Sequence, residues 1–218
     1  MEKIEQNQKS QSEKEINDVN GFVEVRSDPI MIDDSEVYLW ALYPFSKFGE
    51  DEEEEKIIFD LYLYNEFMEQ HYYTRLFEIL KRLPKGTYLN VYINSEGGSL
   101  TTLISFINVF EQCEAEITID IDGFADSAAA ILSLCGDNII THPTSCLMFH
   151  NIQSAFRLQN STGIRKNIES LHKIYDYILK TYCSKVLTKK EIKSIIDGGE
   201  LYLTGEEISK RIKNLVNE

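Results

Sequence analysis

The sequence predicts an α/β protein with strands and helices in alternation. Two observations carry this. Short apolar runs of strand character, Ile57–Leu63, Tyr88–Ile93, Ile117–Ile121 and Cys146–Phe149, are separated by stretches with helical spacing. Turn punctuation falls between them at Pro84-Lys85-Gly86, Gly97-Gly98, Gly123 and Gly136. Strands alternating with helices pack as parallel strands joined by βα crossovers.

Composition sets the limits. The chain has 218 residues, 43% hydrophobic and 11% aromatic, enough for one good core. No apolar run approaches the length of a membrane span, and the start is polar and acidic, so we expect a cytoplasmic protein with no membrane partner. Cys113, Cys135, Cys146 and Cys183 are scattered in apolar surroundings, with no CxxC and no His/Cys cluster. That pattern predicts reduced thiols and no metal site. Nothing calls for a cofactor. The net charge is −14, yet residues 1–55 hold 16 acidic and 5 basic side chains, and residues 56–218 hold 20 and 17. The body is near neutral and shows no basic stripe, which argues against nucleic acid.

In chain order, residues 1–36 are expected to form an acidic, disordered extension, and residues 37–218 the α/β domain. Met1 to Val19 has too few apolar residues to offset its ordering entropy. Val37–Tyr43 reads as a strand stopped by Pro44, and Gly49–Glu55 as a solvated acidic loop. Asn65 opens a helical stretch to Leu83, ended by Pro84-Lys85-Gly86. After strand Tyr88–Ile93 comes a Gly-Gly turn, then a helix on Leu103, Ile104, Ile107 and Phe110. Strand Ile117–Ile121 leads through Gly123 and Ser127 into a small-residue helix, Ala128–Leu134; Gly123 permits a sharp bend there. Ile139-Ile140 and Cys146–Phe149 are short strands, and 151–162 is polar and loop-like. A long helix follows on Ile164, Ile168, Leu171, Tyr175, Ile178 and Tyr182. Thr188 with Glu191, and Thr204 with Glu207, are capping-box signals on either side of strand Leu201–Leu203.

Three strand ends carry chemistry. Asn94–Ser99 offers backbone N–H groups at a helix start, suited to an oxyanion. The Gly123–Ser127 turn offers a hydroxyl, and strand Cys146–Phe149 ends at His150. Ser127 has two readings: a helix N-cap, or a nucleophile beside the positive end of the helix dipole. In α/β folds sites lie beyond the carboxyl ends of strands, where these features can converge, and a serine nucleophile takes a neutral histidine as base.

In this order the motifs Ile93-Asn94-Ser95-Glu96-Gly97-Gly98-Ser99, Gly123-Phe124-Ala125-Asp126-Ser127 and Leu147-Met148-Phe149-His150 resemble the proteolytic subunit family of the ATP-dependent Clp protease. Leu203-Thr204-Gly205-Glu206-Glu207 also looks like a stretch of that family, and the resemblance runs from about residue 57 to the C-terminus. It implies the Clp protease/crotonase fold, a spiral of ββα units with a protruding handle helix at 164–182. It implies Ser127 as nucleophile, His150 as general base, and Gly98 and Ala128 backbone N–H groups as oxyanion hole. The family register puts Glu200 in place of the third triad member, with Asp197 as the alternative. The expected assembly is a homo-oligomeric ring, a heptamer or stacked heptamers, cleaving peptides or proteins. The chain has no GxxxxGK[ST] motif, so folded substrates would need a separate ATP-dependent unfoldase. Residues 155–162 would flank the bound peptide.

The chain departs from the family at Glu96, where proline is usual, and at Asp126, Ala128 and Ala129 around the serine. Asp126 is expected to point away from the site. Three alternatives stand beside the Clp-like peptidase: a self-contained viral head-maturation peptidase of the same fold, an inactive ring or scaffold subunit, and, most distant, a crotonase-type acyl-CoA enzyme.

Overall fold

A computed structural model of the chain describes residues 14–17, 22–26, 30–31, 41–49, 56–153 and 161–216. Its strands form one sheet in the order β1-β2-β4-β5-β6-β7-β9-β10, with β3 also on β4 and β8 also on β7. The strands are β1 Lys14–Asn17, β2 Phe22–Arg26, β3 Ile30–Met31, β4 Ala41–Gly49, β5 Lys56–Leu63, β6 Tyr88–Ser95, β7 Glu116–Asp126, β8 Asn138–Thr141, β9 Cys146–Phe149 and β10 Leu201–Thr204. The helices are α1 Thr74–Leu80, α2 Leu100–Gln112, α3 Ala128–Leu132, α4 Ser161–Ile178, α5 Lys189–Ile196 and α6 Gly205–Val216.

The centre is the parallel run β5-β6-β7, with β9 parallel to the C-terminal half of β7. Helical crossovers make this possible, because parallel neighbours cannot be joined by a tight turn. Leu61, Val91 and Ile119 stand side by side in register and are fully buried. Their alternates Tyr62, Tyr92 and Asp120 are only half-buried, as a two-residue side-chain period requires. Phe106 of α2 anchors the helical side, meeting the rings of Phe67, Tyr73, Phe77 and Phe110. Burying such a ring contributes roughly 2–3 kcal/mol. The α/β expectation is met, with both capping boxes formed at Thr188–Glu191 and Thr204–Glu207.

Several boundaries differ from expectation. Strands β1–β3 fall inside residues 1–36, where composition predicts disorder. β2 and β3 pair with β4 and β1 pairs with β2, all through backbone ladders, and a ladder needs no apolar side chain. Strand β4 passes through Pro44 and does not stop there. Pro44 lies between the stretch of β4 paired with β2 and the stretch paired with β3, so its missing N–H breaks neither ladder. Residues 37–40 and 50–55 lie outside the described residues, and Gly49 is the last residue of β4. The helical stretch expected from Asn65 begins only at a 3-10 turn, Gln70–Tyr73, before α1. Strand β7 runs five residues past Ile121, through Gly123. The long helix starts at Ser161 and passes into a π-helical turn, Leu179–Cys183. Among the described residues, no helix is long and apolar enough to cross a membrane.

Candidate active site

The bend at the end of β7 is made by Ser127 itself. Its backbone sits at φ 56°, ψ −118°, and it is the one non-glycine residue with positive φ among those described. Such a conformation costs on the order of 1–3 kcal/mol and persists only where its surroundings enforce it. Three contacts enforce it. The Ser127 N–H donates to Met148 O at 2.7 Å, the Ile131 N–H donates to Ser127 O at 3.3 Å, and Ala128 to Leu132 behind it are buried. Ser127 stands at the N-cap position of α3, yet its hydroxyl makes no capping hydrogen bond. The N-cap reading of this serine therefore fails on geometry, and the hydroxyl is left for other work.

Gly123 has a different role from the one expected. It lies within β7, and a Cβ there would meet Asn94 Oδ1 at 2.7 Å. Asn94 Oδ1 accepts from the Phe124 N–H at 3.2 Å, so Gly123 lets β6 clasp β7 just before the serine.

The Gly-Gly turn packs directly on the serine turn. Gly97 has φ 83°, and a Cβ on it would sit 2.3 Å from Asp126 O and 2.8 Å from Ala128 N. Gly98 has φ 132°, and a Cβ on it would sit 2.5 Å from Phe67 O. Phe67 bridges the turn: its N–H donates to Gly97 O, and its carbonyl accepts from the Ser99 N–H at 2.7 Å. In a parallel bridge the middle residue turns its own N–H to the opposite edge, which frees that of Gly98. The Ala128 N–H, first in its helix, has no acceptor within that helix. Ser95 anchors the turn from below, donating to Asn65 O at 2.6 Å and accepting from the Gly97 N–H at 3.1 Å. The turn thus forms with Glu96 in place of proline.

His150 follows β9 directly, and its carbonyl accepts a hydrogen bond from the Tyr175 hydroxyl of α4. Gly98, Ser127, Ala128 and His150 all line one cleft of about 420 Å³. Leu100, Leu103, Ile131, Ile152 and Leu171 give it an apolar wall. Residues 154–160, most of the segment expected beside a bound peptide, lie outside the described residues.

The carboxylates are arranged otherwise. Asp126 lies on β7 opposite Met148 and is not part of the cleft wall. It is nevertheless within electrostatic reach of His150: burial and Glu96 push its carboxyl up, and His150 opposes them. Glu200 comes one residue beyond the β9–β10 pair Leu201–Phe149, across from His150. Its Oε2 accepts from the Tyr202 hydroxyl at 3.2 Å. Asp197 pairs with Lys193 at 2.6 Å. Neither Glu200 nor Asp197 lines the cleft. Among the described residues, no group of three or more His, Cys, Asp or Glu side chains is placed to hold a metal ion.

Ser95, Tyr175 and Glu66 were not legible as site residues. Ser95 and Tyr175 read as a turn residue and a helix-face residue, and their partners are distant in sequence. Glu66, which lines the cleft, sits in what reads as a helix.

These features place the chain among α/β proteins whose parallel strands carry a serine and a histidine to one cleft at their carboxyl ends. The sequence model of the Clp protease family matches residues 53–207, most of the chain, and the chain belongs to that family. No curated protein matches the sequence.

Proposed function

We propose that the protein is a serine-type peptidase. The observation that carries this is Ser127: a strained residue at a helix start, its hydroxyl unspent on capping, in the cleft that also holds His150. Its family, a family of peptidases, supports the same reading. His150 takes the Ser127 proton as Oγ attacks the peptide carbonyl. The Gly98 and Ala128 N–H groups receive the negative charge that develops on the carbonyl oxygen. His150 then protonates the leaving amine, and water hydrolyses the acyl-enzyme by the reverse sequence. Glu200, across from His150 in the strand register, is our assignment for the group that orients the imidazole. It would have to exchange its Tyr202 contact for His150.

Assembly into a homo-oligomeric ring is part of the proposal. Ile174 and Tyr177 on α4 are large apolar side chains left 43% and 62% exposed, as a helix that joins subunits would have them. An ATP-dependent unfoldase would deliver folded substrates. A fluorophosphonate probe tests the chemistry: it should label Ser127, and His150→Ala should abolish labelling. An assembled sample that takes no label defeats the peptidase reading. The engagement of Glu200 and Asp197 elsewhere favours a second reading, an inactive ring subunit, and the same probe separates the two.

A further inference from the structure

Among the described residues, Glu66 is the one acidic side chain in the cleft wall. Its Cγ approaches the Gly-Gly turn, 2.9 Å from where a Cβ on Gly98 would lie. Glu66 is exposed and has no cationic partner among the described residues. A carboxylate at this place opposes negative charge developing on a substrate carbonyl bound at Gly98, unless a cation compensates it. Leu100, Ile152 and Leu171, each part-exposed, supply an apolar surface in the same cleft over buried Leu103 and Ile131. A long side chain with an aliphatic stem and a cationic head fits both features, stem on the apolar wall and head at the carboxylate. A wholly apolar side chain satisfies the wall and leaves the charge uncompensated, and an acidic one adds repulsion.

We propose that Glu66 makes this cleft selective for peptides carrying arginine or lysine beside the scissile bond. The cation pairs with the Glu66 carboxylate and the stem covers the apolar wall. The inference rests on the peptidase reading for its consequence in turnover, but the selectivity itself is one of binding.

The test therefore begins with binding. Full-length protein carrying Ser127→Ala is titrated into two fluorescent peptides, identical except for arginine or norleucine, an uncharged aliphatic stem without the cationic head, at one central position. Anisotropy should show the arginine peptide bound about fivefold more tightly at moderate salt, the effect of one partly exposed ion pair. Adding Glu66→Gln should bring the two affinities together, and Glu66→Lys should reverse the preference towards a glutamate peptide. Equal affinities for arginine and norleucine, a preference that survives Glu66→Gln, or no binding of either peptide would overturn the proposal. With Ser127 intact, kcat/KM should show the same ratio and the same loss on Glu66→Gln. Failure of fluorophosphonate labelling with the binding preference intact would defeat the peptidase reading and leave Glu66 its role as a selector.

Discussion

The Ser127 amide donates to the Met148 carbonyl at 2.7 Å, two residues ahead of His150. The strand that leads to the hydroxyl and the strand that leads to the imidazole are thereby tied at Ser127 itself. The tie holds Ser127 at φ 56° against its own steric preference. Glycine carries no such penalty. Ser127→Gly should therefore melt above Ser127→Ala, by about 2–4 °C for each kcal/mol of strain relieved, while neither variant takes up a fluorophosphonate. Equal melting temperatures would show that the turn is unstrained.

The Gly97 approach to Asp126 O and Ala128 N leaves no room for a methyl group. The clash is with backbone on both sides, so no side chain can move to relieve it. Gly97→Ala should lower stability by at least about 2 kcal/mol and abolish probe labelling. Gly198→Ala is the control: Gly198 has φ 98° and open space around its Cβ position, so it should lose stability without losing label.

Tyr175 couples α4 to the candidate active site by its hydroxyl on His150 O. Tyr175→Phe keeps the buried ring and deletes this one bond, which should cost about 1 kcal/mol of stability. It should also lower kcat with little change in KM, because the imidazole loses a positional restraint and the cleft wall is unchanged. A variant with full kcat would show that α4 serves packing alone.

Glu200 is the proposed partner of His150, with Asp197 as the alternative. We expect Glu200→Gln to cut turnover far more than Asp197→Asn, whose parent carboxylate pairs with Lys193. The reverse order would refute the register assignment. Asp126 adds a pH signature. Its carboxyl is raised by burial and by Glu96, against the pull of His150. A raised carboxyl binds its proton more tightly in the folded state, so folding loses stability as pH rises through the carboxylate range. Asp126→Asn should thus raise Tm at neutral pH and not at acid pH.

Glu191 behaves in the opposite sense. Burial pushes its carboxyl up, but two hydrogen bonds from Arg211, at 3.0 and 2.9 Å, and others from Thr188 prevail and hold it at about 2. This contribution is complete above the ordinary value of 4.5 and is lost as pH falls towards about 2. The Tm deficit of Glu191→Gln should therefore be widest near neutrality and close over that acid window. A constant deficit would assign the loss to packing and not to charge.

The alternation of apolar runs and helical stretches was enough to read β5 to β10 and α2 to α6 nearly in place, because a buried face writes its period into the chain. The capping boxes were equally legible, since Thr188 and Glu191 lie three residues apart. Strands β1–β3 and the passage of β4 through Pro44 were not, because they depend on backbone pairing, which writes no apolar period into the chain.

At the site the same division holds. The sequence by itself determined the α/β class, the order of Gly-Gly turn, serine and histidine, and the family they resemble, since each is a local pattern. Only the tertiary structure decided that Ser127 and not Gly123 makes the bend, that its hydroxyl does not cap α3, and that Glu66 stands beside Gly98. Those facts come from contacts between residues far apart in the chain: Ser127 with Met148, Gly97 with Asp126, Glu66 with Gly98. No periodicity encodes such contacts, because they exist only once β6, β7 and β9 lie side by side.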